Sequence, residues 1–360
     1  DFNGDNTINY LTSYPRQNSN DNGWGAFGKL DIYAATKTEP NLFKVGEYDF
    51  GEKLRTPTTV VFKKPLINVT QIQFRVKSAY KNRVSCAEME FFQQANFDNA
   101  HVFTDKTCSE LNKGVTKDDI LKLENSTLRD IALQLHNGTY DAEFRVQKYR
   151  PYQHPDVPAS QNRTTPHSIR DNPTGMYVAN TSEKLIVFVG DNNTDGLSLE
   201  ICNFKPEINS EYHTLLPGLN IIEPNKEGLI YIHNHIKENI PLPVNKAYCP
   251  VEIKNIITDQ SVKIHIVGGK INGYFDRDKH DNKFWQELIW GYKYGGAGDI
   301  DVIGHYAHTL WSVDHYKEHN TENIVEIIEA FDKLIYSQMD FTGLIKYNRG
   351  FNNRAYIHIM

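Results

Sequence analysis

Ile8-Asn9-Tyr10-Leu11-Thr12-Ser13-Tyr14 is a short run rich in β-branched and aromatic residues, and it breaks at once into Pro15-Arg16-Gln17-Asn18-Ser19-Asn20-Asp21-Asn22-Gly23 before Trp24. Such a run closed by turn formers reads as a strand followed by a loop. The same rhythm recurs at residues 29 to 34, 58 to 62, 70 to 76 and 87 to 92, as an antiparallel β-sandwich requires.

Downstream the texture changes. Residues 118 to 123 and 127 to 135 show helical apolar spacing, with Gly138 placed as a stop. Residues 147 to 173 hold five prolines among polar side chains, a composition that reads as a wrapped linker. Strand patterns return at 176 to 179, 184 to 189, 197 to 202, 229 to 233, 251 to 257 and 262 to 267. From His280 the period turns helical, and Asn320 is placed as an N-cap before Ile324, Ile327, Ile328, Phe331, Leu334 and Ile335. The expected class is mostly β with α at the C-terminal end. Four segments follow: a β-sandwich over 1–95, a helical insert and linker over 96–170, a second β domain over 171–272, and the start of a helical domain over 273–360. The opening Asp1 and the closing Tyr356-Ile357-His358-Ile359-Met360 read as cuts through folded domains.

The chain has 360 residues and a formal net charge of -6, with no block of Lys and Arg. That leaves out the electrostatic footprint of a nucleic-acid binder, and the length is enough for several independently buried cores. No apolar run approaches the roughly eighteen residues of a membrane-spanning helix. Cys86, Cys108, Cys202 and Cys249 lie far apart without C-x-x-C spacing, so they are expected to be buried as small apolar residues.

A zinc peptidase needs two imidazoles one helical turn apart with a glutamate beside the first. No H-E-x-x-H occurs here. His315-Tyr316-Lys317-Glu318-His319 has the inverted H-x-x-E-H order, but directly before Asn320 it reads as solvated histidines in a loop or helix approach. Asp301-Val302-Ile303-Gly304-His305 resembles H-E-x-G-H with the first histidine and the general base both replaced. His305 with His308, and His233 with His235, are near pairs lacking a third ligand in sequence, so structural roles are expected. No nucleophile elbow, P-loop or dinucleotide fingerprint is present, and Gly295-Gly296-Ala297-Gly298 reads as the terminator of a helix. For binding, Arg16, Asn22 and Trp24 put a guanidinium, an amide and an indole into one loop. Arginine and asparagine can hydrogen-bond paired hydroxyls and an indole can cover a pyranose face; the plainer alternative is a turn whose Trp24 anchors the core.

Ile8-Asn9-Tyr10-Leu11, Tyr14-Pro15-Arg16-Gln17 and Asn22-Gly23, closing with Cys86-Ala87-Glu88-Met89-Glu90-Phe91, resemble the later part of a discoidin domain of the coagulation factor five/eight type C kind. The resemblance implies sugar contacts at Arg16 and Asn22 and a structural calcium held through Glu88. Ser109-Glu110-Leu111, Leu128-Arg129-Asp130-Ile131-Ala132, Asp171-Asn172-Pro173-Thr174-Gly175, Gly228-Leu229-Ile230-Tyr231-Ile232, Gly273-Tyr274-Phe275-Asp276 and Phe341 with Gly343 and Leu344 are similar to enhancin-type, mucin-directed zinc metallopeptidases of the M-60-like family. This second resemblance implies a gluzincin-like α region, a zinc cofactor, mucin or glycoprotein glycans as partners, and a secreted, periplasmic or outer-surface bacterial location. In that family the H-E-x-x-H helix and a further glutamate ligand lie downstream of the last matching segment, so zinc ligands are expected outside this chain and no catalytic residue within it. The alternative is a non-catalytic surface adhesin that keeps the peptidase scaffold and binds glycan through the Trp24 loop.

Overall fold

A computed structural model describes residues 1–16, 24–52, 58–93, 99–165, 170–190, 197–205, 207–236, 261–319, 323–351 and 353–359. Asn22, Asn320, Cys249 and the strand expected at 251 to 257 lie outside the described residues. The chain divides into two compact units, Asp1–Phe97 and Asp98–Met360.

The first unit holds β1 (Thr7–Tyr14), β2 (Lys29–Thr36), β3 (Phe43–Asp49), β4 (Thr58–Ile67), β5 (Val69–Val76) and β6 (Glu88–Phe92). They form two antiparallel three-stranded sheets, β4-β1-β6 and β3-β2-β5. Alternate side chains of both sheets meet in one core that includes Ile8, Leu11, Leu30, Ile32, Val60, Phe62 and Val69, which is the period of two that the sequence displays. Strand β3, FKVGEYD, escapes the sequence reading because it is an edge strand whose charges stay at the surface. Lys44 pairs with Glu47 at 2.5 Å and with Asp31 at 3.3 Å, and Lys77 reaches Asp31 at 2.8 Å.

The second unit opens with α1 (Lys117–Leu121) and α2 (Ser126–Asn137). A capping box of Thr116 and Asp119 starts α1, the Asn125 side chain caps α2, and Gly138 at φ 67° ends it. Ile120, Leu128, Ile131 and Ala132 share a core with Phe188, so these helices are built onto a sheet. There follow β7 (Val146–Tyr149), β8 (Tyr152–Gln153), α3 (Asp156–Asn162), β9 (Pro173–Val178), β10 (Leu185–Val189), β11 (Leu197–Asn203), β12 (Asn209–Thr214), β13 (Gly218–Ile222), β14 (Gly228–Ile236), β15 (Val262–Val267) and β16 (Lys270–Ile271). One sheet runs β13-β10-β15-β7 and a second β12-β11-β14-β9-β16, with β8 added parallel to β14. The stretch 147 to 173 is therefore not a linker. It supplies strands to both sheets and buries Tyr149, Tyr152, Arg170, Asp171 and Asn172. Its core is polar and hydrogen-bonded, so apolar patterning gives no sign of it.

The last part comprises β17 (Phe275–Asp276), α4 (Asn282–Trp290), β18 (Asp299–Ile303), β19 (Ala307–Ser312), α5 (Val313–His319), α6 (Ile324–Phe341) and β20 (Ala355–Ile359). The strands form a mixed sheet, β17-β18-β19-β20, with β18 and β19 antiparallel and the flanking pairs parallel. Trp285, Leu288, Ile300, Val302, Ala307, Ile324, Ile328 and Met339 join sheet and helices in one core. The expected helical domain is thus an α/β layer. Its strands β17 and β18 are buried along their whole length, and such runs carry no period of two to distinguish them from helix. Asn323, rather than Asn320, caps α6, its side chain accepting from the Glu326 N–H at 3.2 Å. Gly291 caps α4, so the glycines at 295 to 298 lie beyond the helix they were expected to end. No helix among the described residues is long and apolar enough to cross a membrane.

Candidate functional site

In the first unit Tyr14 ends β1 opposite Glu88, and its hydroxyl donates to Glu90 Oε2 at 2.6 Å. That hydrogen bond, with partial burial, pushes the phenol up to about 12. Arg16 is exposed just past the end of β1. Ser85, three residues before the β6 pairing begins, donates its hydroxyl to the carbonyl of half-buried Trp24, and the Ser85 N–H donates to Gly25 O at 2.9 Å. Arg16 and Trp24 therefore flank the same end of the β1–β6 ladder. The indole is not an open platform: Lys81 Nζ stands 4.4 Å and Arg83 Cζ 4.7 Å from its ring centre. Glu88 is exposed, and the described residues contain no group of three or more His, Cys, Asp or Glu side chains that could hold a metal. No described set of such side chains around Glu88 makes a calcium site.

In the second unit the sheet carrying β11 and β14 is buried on both faces. Leu199, Ile201, Ile230 and Ile232 face one core, and the alternate residues Cys202, Leu229 and Tyr231 face another that contains Leu310 of β19. Period two sends Glu200 and His233 to this second face as well. Glu200 there accepts from Arg170 Nη2 at 2.8 Å, Ser210 Oγ at 2.6 Å and Tyr212 Oη at 3.1 Å, and its other oxygen meets His233 Nε2 at 2.8 Å. Burial alone would raise this carboxyl, but His233, Arg170 and Ser210 outweigh it and hold it at about 2. The Arg170 guanidinium lies over Phe204 and Tyr356, 5.2 and 5.0 Å from their ring centres. Tyr231 donates to Asp301 Oδ1 at 2.9 Å, and His308 bridges Asp301 Oδ1 at 2.7 Å and the Arg170 carbonyl at 2.5 Å. A continuous polar seam thus joins the β11–β14 sheet to β18 and β19.

The histidines singled out in the sequence are placed by this seam. Asp301 partners His308, while His305 Nε2 meets Asp278 Oδ1 at 2.9 Å. The His233 and His235 rings lie 5.2 Å apart, and burial, with repulsion from His233 and His154, takes His235 down to about 3. His315, Glu318 and His319 sit on α5 itself and are all exposed. Zinc does not fit the described residues: the H-x-x-E-H side chains face solvent and the buried histidines are each committed to carboxylates, carbonyls or other rings. Cys108 and Cys202 are buried as expected, but Cys86 is exposed. Sequence reasoning missed Arg170 and Glu200, although a glutamate between Leu199 and Ile201 in a strand was a visible sign of a buried ion pair.

Comparison of the fold brings in known proteins. A metallopeptidase from Bacteroides thetaiotaomicron matches at 24% identity over 74% of this chain and 44% of its own, with a TM-score of 0.61. A Clostridium perfringens ZmpB structure holding CBM32-1, CBM32-2 and M60 catalytic domains matches at 16% identity over 98% of this chain and 38% of its own, with a TM-score of 0.50. The structural neighbours are M60-like metallopeptidases. The chain spans less than half the length of either neighbour. No family model and no curated protein matches the sequence. At these identities the M60-like likeness is one of fold: mostly β, several antiparallel sheets and a few helices.

Proposed function

We propose that this chain is part of a secreted or surface-held bacterial zinc metallopeptidase acting on mucin-like glycoproteins. In this reading the first unit is a partial discoidin-type glycan-binding module, and the zinc ligands come from sequence other than these residues. The observation that carries the reading is the fold likeness to a metallopeptidase over 74% of the chain at a TM-score of 0.61. Pairing in the Clostridium perfringens protein of CBM32 domains with an M60 catalytic domain supports the same division of labour. The role of the chain's own residues is then to bind and to position. A tethered glycan site raises the local concentration of substrate, and the Arg170–Glu200–Asp301–His308 seam holds the β sheets rigidly against the α/β layer.

Extending the reading frame to include an H-E-x-x-H helix should give a protein that takes up stoichiometric zinc and cleaves mucin-type glycoprotein, while the 360-residue chain alone does not. An extended protein that holds zinc but leaves such glycoproteins intact would contradict the substrate assignment. A non-catalytic glycan-binding protein on the same scaffold is the second reading, favoured by the cation-covered Trp24, whose architecture is independent of any metal. Glycan capture without proteolysis by the extended protein would select it.

A further inference from the structure

The residues around Trp24 carry more than the sequence motif. The chain from 78 to 85 is laced to the Trp24 turn by backbone hydrogen bonds, Gly28 N to Ser78 O at 2.9 Å, Tyr80 N to Ala26 O at 3.0 Å and Ser85 N to Gly25 O at 2.9 Å. Between these anchors Lys81 and Asn82 both adopt left-handed backbone, φ 55° and 53°. Lysine rarely occupies that region, and strained backbone of this kind clusters at ligand clamps. The consequence is positional: the Lys81 ammonium stands between the rings of Trp24 and Tyr80, 4.4 and 5.5 Å from their centres, and the Arg83 guanidinium lies over Trp24 as well.

Lys44 and Lys77 of the same unit are neutralised by Asp31 and Glu47. Lys81 and Arg83 are exposed and make no ion pair with any described carboxylate. Arg16 lies at the same end of the ladder, and Val84, 59% exposed, offers an apolar edge beside them. Fixed, unneutralised cations on an aromatic base suit an anionic group carried by a sugar.

We propose that Lys81 and Arg83, held over Trp24, form an anion subsite that makes the first unit prefer acidic glycans, bearing a sulfate ester or a sugar carboxylate, over neutral ones. The inference rests on the reading of that unit as a glycan-binding module. The test is titration of the whole 360-residue chain, by calorimetry, with matched galactose-terminated oligosaccharides that are neutral, sulfated or sialylated. The acidic forms should bind about five- to tenfold more tightly than the neutral form, and a double K81Q/R83Q variant should lose that margin while neutral binding stands. A preference confined to the sulfated or the sialylated arm identifies the anion. Arg83→Lys, which keeps the charge, should retain most of the preference, and circular dichroism checks that each variant is folded. Equal affinity for neutral and acidic glycans, or an unchanged preference in the double variant, would overturn the subsite and leave glycan binding standing. Equally tight binding of duplex DNA would overturn it as general polyanion attraction. Failure of the folded chain to bind any glycan would sink the module itself and the subsite with it.

Discussion

Glu200 is fully buried with a charge that four donors sustain, and its removal tests how the second unit is held together. Its carboxyl is held at about 2 against an ordinary 4.5. A depressed carboxyl stabilises the fold above its unfolded pKa, and that contribution disappears as pH falls from 4.5 toward 2. Glu200→Gln should therefore cost about 3 kcal/mol near neutral pH, and urea denaturation at stepped pH should show the gap to the native chain closing below pH 4.5. A gap independent of pH would mean that the Glu200 carboxyl is not held below its unfolded value. His235 adds to the slope: half-buried and held down to about 3 in the fold, it is protonated first in the unfolded chain as pH falls below 6.5, so it also weakens the fold in acid. Lys81 predicts the reverse of a loss. Glycine at this left-handed position relieves strain, so Lys81→Gly should raise stability by about 0.5–1 kcal/mol in thermal melts while removing the preference for acidic glycans. Arg16, Asn22 and Trp24 were singled out by residue type alone, and Asn22 lies outside the described residues. Lys81 and Arg83, some sixty residues away in sequence, were not, because only the fold brings them to the indole.

Helix α6 illustrates what periodicity tells and what it hides. Of the apolar stripe read as Ile324, Ile327, Ile328, Phe331, Leu334 and Ile335, all but Leu334, which is 50% exposed, join or pack against the core, and the buried row also takes in Asp332 and Met339. A carboxylate in the core row is what hydrophobicity alone does not mark. Asp332 is there because it accepts the N–H groups of His305, Tyr306 and Ala307 at 2.8, 2.7 and 2.9 Å, closing the turn between β18 and β19. Gly304 permits the approach, since a Cβ there would lie 2.5 Å from Asp332 Oδ2. Asp332→Ala should leave these donors without their acceptor and destabilise the chain by about 3 kcal/mol or more, read from a denaturant midpoint. A change below about 0.5 kcal/mol, the level of an ordinary surface substitution, would show that water replaces the carboxylate. Strand β18 was hidden by a different limit: a run of five residues buried throughout gives no period, and the sequence showed Asp301 only as a broken metal motif.

At the scale of the molecule, five of the six strands of Asp1–Phe97 were legible but only five of the fourteen strands described in Asp98–Met360, because short strands and strands buried throughout print little period on the sequence. The polar seam was not, since a sheet buried on both faces hides its charges among apolar neighbours and sequence rules assign Arg and Glu to the surface. That seam ties together a scaffold of metallopeptidase fold whose described side chains offer no metal-binding group. Whether it works a metal itself is the deeper question. Zinc content of the purified 360-residue chain, measured by plasma mass spectrometry after dialysis against a weak chelator, addresses it directly. Only trace zinc is expected, and stoichiometric zinc retained by this chain would overturn the assignment of the zinc ligands to other residues.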